Sequence, residues 1–282
     1  MSETTGAWSG GAFGERARCV LAPNADVMTL DGTNTWVLRE PGARRSVVID
    51  PGPQIAAHLD AVAELAGEVA AVLLTHGHAD HSEAARGFAE RMGCGVRALD
   101  PAHRLGSEGL ADGDVVEVDG LEVRVVGTPG HTSDSLSFLL SAEQAVLTGD
   151  TVLGRGTTVV AHPDGQLGAY LDSLQRLRRL AEDREVAAVW PGHGPVIDDA
   201  LSVLDQYLRH RAQRLEQVRE ALRVLEREAG GTTSAAAGGD GAEPVPDLAR
   251  AVVERVYADV DPVLWGAAEL SVRAQIDYLR SA

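Results

Sequence analysis

The chain of 282 residues contains no lysine, so all 25 of its basic side chains are arginine. Catalysis by a lysine amine is thereby excluded. Against 42 acidic residues the arginines leave a formal net charge of -17. Tight nucleic-acid binding draws most of its affinity from phosphate neutralisation, so this balance weighs against a dedicated nucleic-acid binder, although it permits a local arginine patch. Cysteine is nearly absent as well. Cys19 and Cys94 are far apart and match no metal or redox spacing, which leaves them as small buried residues. No apolar run approaches the roughly 20 residues that span a bilayer. Residues 1–13 are polar and Gly-rich, without the charged-then-apolar layout of a signal peptide. A soluble, cytoplasmic protein with no membrane partner is expected.

What is present is an ordinary hydrophobic share of 44%, enough for one sizeable α/β domain with a small appendage. Apolar runs bounded by turn residues predict strands over 17–21, 35–38 and 46–49. Ile55, Leu59, Val62 and Leu65 recur at helical spacing, the run 70–74 reads as a buried strand, and 82–92 reads as a helix. Gly95 to Leu99 is a further strand. Residues 115–118 and 121–126 flank Asp119-Gly120 as a hairpin. A second strand pair follows at 135–140 and 145–147, then an amphipathic helix at 168–181 and a last strand at 186–190. Strands with interposed helices, in two β-rich halves, predict a layered α/β sandwich. The domain reading is a disordered N-terminus over 1–15, a catalytic domain over 16–200 and one long charged helix over 201–229. A flexible Gly/Thr/Ala linker over 230–245 and a small helical C-terminal domain over 246–282 complete it.

The chemistry concentrates in Thr75-His76-Gly77-His78-Ala79-Asp80-His81, directly after the strand at 70–74. Neutral imidazole and carboxylate are the ligand set favoured by zinc and similar divalent ions. Three later segments share the design: Gly127-Thr128-Pro129-Gly130-His131, Leu147-Thr148-Gly149-Asp150, and Pro191-Gly192-His193-Gly194. Each sets a His or Asp in a Gly-containing turn after a strand. Singly, each histidine reads equally well as a turn or core residue; the joint pattern does not. His76, His78, Asp80, His81, His131, Asp150 and His193 make seven candidate ligands, too many for one tetrahedral ion. They suit two ions sharing a carboxylate and a bridging hydroxide, a nucleophile available at neutral pH. Hydrolysis is the expected reaction.

These motifs resemble the metallo-β-lactamase fold superfamily over roughly residues 16–200, in order and without a gap. The resemblance implies an αββα sandwich and two Zn2+ ions, with Mn2+ or Fe accepted by the same ligands. It assigns His76, His78 and His131 to the first ion, Asp80, His81 and His193 to the second, and Asp150 as the bridge. Asp80 doubles as a catalytic hydrogen-bond acceptor for the hydroxide. Asp50 matches a strand-end aspartate that supports the ligands from behind.

Gly32-Thr33-Asn34-Thr35-Trp36, the stretch 154–158, and the helical tail look like the β-lactamase-like protein 2 branch, which includes an endoribonuclease with a winged-helix-like tail. Here the chain stops soon after the helix that should precede a β wing, so the wing is expected to be missing. By family position Asn34, Thr157 and Thr158 line the substrate pocket, though turn roles explain them as well. His162 is the candidate to protonate a leaving group, set against a plain surface-loop role. Arg176, Arg178, Arg179, Arg209, Arg211 and Arg214 form either a phosphate-binding stripe or, as the preferred reading, solvated helix faces paired with acids. The first substrate expectation is a phosphodiester such as single-stranded RNA. The alternatives are a small ester or thioester, as in glyoxalase II-type acyl hydrolases, and a non-catalytic, metal-stabilised interaction protein. A homodimer is compatible with all three.

Overall fold

The short apolar runs between turn signals form two sheets in the computed structural model, which describes residues 7–160, 162–231 and 247–281. The first sheet holds β1 (Gly10–Phe13), β2 (Ala17–Leu21), β3 (Asn34–Leu38), β4 (Arg45–Ile49), β5 (Glu68–Leu73) and β6 (Gly95–Arg97), in that order. Strands β1 to β4 are antiparallel, whereas β4, β5 and β6 run parallel. Parallel neighbours need crossovers. These are α1 (Ala56–Ala66) and the pair α2 (Ala79–Ser82) and α3 (Ala85–Met92).

The second sheet is built from β7 (Val115–Val118), β8 (Leu121–Gly127), β9 (Leu136–Leu140), β10 (Ala145–Gly149) and β11 (Ala188–Pro191). Its β7–β8 turn has positive φ at both Asp119 and Gly120, 48° and 94°, the conformation that matches strand twist in a two-residue hairpin. Helix α4 (Leu167–Glu182) carries the chain from β10 to its parallel partner β11. Helices α5 (Ala200–Gly231), α6 (Leu248–Val256) and α7 (Trp265–Ser281) follow.

Alternate residues of each strand face different layers. Trp36, Ile49, Leu73, Phe138 and Leu147 pack between the sheets. Val37, Val48 and Val72 face outward onto Leu59 and Phe88 of α1 and α3. Leu139, Val146 and Val189 face the other way onto Leu174 and Leu177 of α4 and Leu204 of α5. The result is the expected αββα sandwich. Val218 of α5 joins Val252 and Val272 of α6 and α7 in a separate small core. No strand follows β11 among the described residues, so the small core there is helical throughout.

Three expectations change. Residues 10–13 are not disordered: they form β1, paired with β2, and Phe13 packs edge-on against Trp36. The helix expected over 82–92 is broken, and α2 and α3 are separate segments. The expected linker over 230–245 begins inside α5, and its remainder from 232 lies outside the described residues. No helix among the described residues is long and apolar enough to cross a membrane.

Candidate metal centre

Each predicted ligand sits just beyond the C-terminal end of a strand: β5 for His76 to His81, β8 for His131, β10 for Asp150 and β11 for His193. All meet at one edge of the sandwich. The Nε2 atoms of His76 and His131 each lie 3.0 Å from Nδ1 of His78. On the other side, Nε2 of His193 lies 3.2 Å from Nε2 of His81 and 3.1 Å from Oδ2 of Asp80. Asp150 stands between the groups. Its Oδ1 is 3.4 Å from Nε2 of both His81 and His193, and its Oδ2 is 3.8 Å from Nε2 of His131. The side chains fit divalent ions on two counts. A tetrahedral shell with metal–nitrogen bonds near 2.05 Å has ligand–ligand edges of roughly 3.3 Å, which these spacings approximate. Oδ1 of Asp150 is also buried without a hydrogen-bond partner, an expensive arrangement that a cation would complete. His76, His78 and His131 form one possible ligand group and Asp80, His81 and His193 another.

The remaining ring nitrogens of His76, His81, His131 and His193 are held from behind, which fixes the atom each of these imidazoles presents. Nδ1 of His131 lies 2.6 Å from the Val159 carbonyl, and Nδ1 of His193 lies 3.1 Å from that of Gly32. Nδ1 of His81 lies 2.9 Å from Oδ2 of Asp50. Asp50 also accepts from the Thr75 amide at 2.8 Å and the Thr75 hydroxyl at 2.6 Å, and the Thr75 oxygen meets Nδ1 of His76 at 3.0 Å. One carboxylate thereby orients ligands of both groups. Its backbone sits at φ 49°, an uncommon conformation for a residue other than glycine. Gly192 is sterically obligatory: a Cβ there would lie 2.7 Å from both Oδ1 of Asp150 and Cε1 of His81.

Burial would raise the pKa of Asp150 and Asp80, but the neighbouring His81 and His193 outweigh it and hold both carboxylates below their ordinary range. Burial would likewise lower His81 and His193. Asp150 and Asp80 reverse that, pushing His193 up to about 9 and His81 well above its usual value. His76 and His131 stay low, chiefly through burial. The carboxylates thus draw positive charge to the position a cation would take.

Asn34 does not line the pocket. It is fully buried, donating to the carbonyls of Pro191 at 2.9 Å and Gly194 at 2.8 Å and accepting from Nε1 of Trp8 at 2.7 Å. Its amide clamps the turn that carries His193, because a buried amide must find partners. His162 is displaced too: its Nε2 lies 3.0 Å from Oδ2 of Asp277 on α7, in a depression with Gln166 and Tyr278 rather than with the ligands. Thr157 and Thr158 do line a cavity of about 320 Å3 that reaches His131 and Asp150. Thr158 is buried, and its hydroxyl donates to the Asp150 carbonyl. Most of the cavity wall is apolar, including Met28, Leu30, Leu153, Val260 and Leu264. Arg176 and Arg178 pair with Asp112 and Asp205, as solvated helix faces should, but Arg211 and Arg214 turn into the cavity with His210. Sequence reasoning does not separate those two from their neighbours. The only available signal is their i, i+3 spacing on one face of the long helix.

Fold and site together make a four-layer sandwich with a candidate divalent-metal centre at one edge. The chain belongs to the metallo-β-lactamase superfamily, whose family description matches residues 28–193. It is 37% identical over 250 residues to the atrochrysone carboxyl ACP thioesterase of Aspergillus fumigatus, covering 86% of this chain and 74% of the relative. It is 33% identical over 223 residues to the β-lactamase-like protein 2 homolog of Caenorhabditis elegans, covering 73% and 70% respectively. A β-lactamase domain protein from Burkholderia ambifaria shares the fold, with a TM-score of 0.76 at 21% identity over 99% of this chain and 90% of its own.

Proposed function

We propose that the protein hydrolyses small acyl thioesters with two zinc ions held by the seven ligands. One observation carries this function: the half-open pocket that reaches His131 and Asp150 is mainly apolar, walled in part by α5 and by residues from Tyr257 to Ser271. A pocket of this kind suits an acyl chain better than an extended polyanion. The net charge of -17 and the ion-paired Arg176 and Arg178 point the same way. So does 37% identity to a relative named as an acyl carrier protein thioesterase. The thioester thus moves ahead of the phosphodiester that the motifs alone favour.

When bound, the ions supply a Lewis acid for the carbonyl oxygen and a water acidified to near neutral pH. The chain supplies the rest. The side chain of ionised Asp80 is 30% exposed, against 13% or less for His81, His131, Asp150 and His193, and it is placed to accept a hydrogen bond from the attacking water and so orient it. Asp50 and the backbone carbonyls keep the imidazoles in one orientation, so little reorganisation accompanies the reaction. Water adds to the carbonyl carbon, the C–S bond breaks, and acid and thiol leave. A thiol with a pKa of about 8.5 departs without a general acid. The displacement of His162 from the centre therefore counts against an alkoxide leaving group more than against a thiolate.

A phosphodiester substrate is the second reading, favoured by the similarity to the β-lactamase-like protein 2 homolog. Metal-quantified protein offered a panel of acyl thioesters, a chromogenic phosphodiester and single-stranded RNA decides between them. Thioester turnover with intact RNA is expected; RNA cleavage without thioester turnover would overturn the assignment.

A further inference from the structure

Arg211 is the most deeply buried arginine of the cavity wall, only 4% exposed. One of its nitrogens donates to the Thr158 carbonyl, and its guanidinium lies 4.8 Å from the centre of the Tyr170 ring. Its Nε has no partner. Arg214, one turn further along α5, donates to the Val256 carbonyl at 2.7 Å and stacks on Tyr257 at 4.3 Å. Among the described residues neither guanidinium meets a carboxylate; their contacts are carbonyl oxygens and aromatic faces. Elsewhere on the same helix Arg219, Arg223 and Arg227 are all paired with acids. Beside them lies His210, which also lines the cavity and whose buried Nδ1 is likewise unpartnered. A buried cation without a counter-charge is costly, and here buried Arg211 has the half-buried Arg214 beside it in a strongly acidic protein.

We infer that the cavity is built for an acyl group bearing its own carboxylate, which Arg211 and Arg214 bind while the thioester carbonyl lies at the metal centre. The inference rests on the thioester function and specifies its substrate as the monothioester of a dicarboxylic acid, or an acyl chain with an equivalent acidic group. The positioning is direct. Thr158 donates to the Asp150 carbonyl and accepts from Arg211, so the first guanidinium is one residue removed from the bridging ligand. Arg214 lies three residues on, roughly 4.5 Å further along the helix axis. Met28, Leu30, Leu153, Val260 and Leu264 surround the intervening space, where a methylene chain or ring would be sheltered from water. His210 is held below its ordinary range by burial first and by Arg211 and Arg214 next, which marks the same positive field. A phosphate would answer the same guanidinium chemistry from a carrier arm or a nucleic acid, and the test separates these sources.

The test uses the zinc-loaded protein with two substrates of one shape, the suberyl monothioester of N-acetylcysteamine and its terminal carboxamide. The acid is expected to exceed the amide at least tenfold in kcat/KM, and that ratio should fall at least fivefold in Arg214→Gln. Arg211→Gln should act in the same direction. Because replacing the buried Arg211 can also impair folding, the half-buried Arg214 is the deciding variant. Equal use of acid and amide by the wild type, or an unchanged ratio in Arg214→Gln, overturns the inference. If neither thioester is turned over, the thioester function fails separately, and the carboxylate site is then measured by calorimetry. Octanoate binding that exceeds octanamide binding and is lost in Arg214→Gln upholds it. Equal binding of the two, or binding of inorganic phosphate without octanoate, assigns the arginines elsewhere.

Discussion

Asp80 shows how one residue separates structure from chemistry. It stands in the first turn of α2, with Oδ2 3.1 Å from Nε2 of His193, and it faces the water-accessible side. Asp80→Ala should lower turnover by roughly 10^2-fold or more, as loss of a group that orients the attacking water does. Metal analysis should show fewer ions per chain, since a ligand is lost with it. Turnover near the wild-type value would place the chemistry elsewhere. At this scale the seven candidate ligands, which the fold gathers at one edge of the sandwich, and Asp50 behind them are legible in the sequence because each follows an apolar run within a short motif. Asn34 and His162 are not. Asn34 takes its role from Pro191 and Gly194, far along the chain, and His162 from Asp277 on the last helix, partners that no local spacing announces. Arg211 and Arg214 look in sequence like their paired neighbours because absence of a counter-charge is a property of the fold.

Among the elements, the contact of β3 with the turn after β11 matters most. Replacing Asn34 by Ala would leave the Gly194 carbonyl and the Trp8 indole N–H without partners inside the protein, and the Pro191 carbonyl with only the 3.3 Å bond from the Trp36 indole. Each unsatisfied group costs about 1–3 kcal/mol, so urea denaturation of Asn34→Ala should show a loss of several kcal/mol, and affinity for the ion at His193 should weaken. A variant as stable as the wild type would deny the clamp. Helix α1 carries a different dependence. Buried His58, with Nε2 2.9 Å from the Thr35 hydroxyl, is held below its ordinary value of 6.5, mainly by burial. The unfolded chain therefore takes up a proton more readily, and the stability His58 confers is complete above about pH 6.5 and lost as pH falls toward the lowered folded value. Urea midpoints between pH 7.5 and 5.5 should fall less steeply in His58→Gln; parallel slopes would contradict this. Most elements are readable from apolar runs and turns. Strand β1 is not, because Gly10-Gly11-Ala12-Phe13 has no strand pattern and is held by pairing with β2 and the packing of Phe13 on Trp36 and Trp190.

In the molecule as a whole, the tail and the metal edge form one device. The sandwich brings four strand ends to a point, while α5 and residues 257–271 help to wall a pocket beside that point and line it with apolar surface and two arginines that meet no carboxylate among the described residues. The sandwich is legible from the alternation of strands and helices. The pocket is not, since it arises only where distant helices meet, and the proposed preference for an acyl group over a polyanion rests on it. The proposed thioester hydrolysis needs both ions, and stoichiometric reconstitution decides whether it does. Chelator-treated protein is titrated with Zn2+ while the hydrolysis of an acyl thioester is followed. The rate should climb until two equivalents per chain are bound and then level off. A plateau at one equivalent, or a chelated protein as fast as the loaded one, would contradict it.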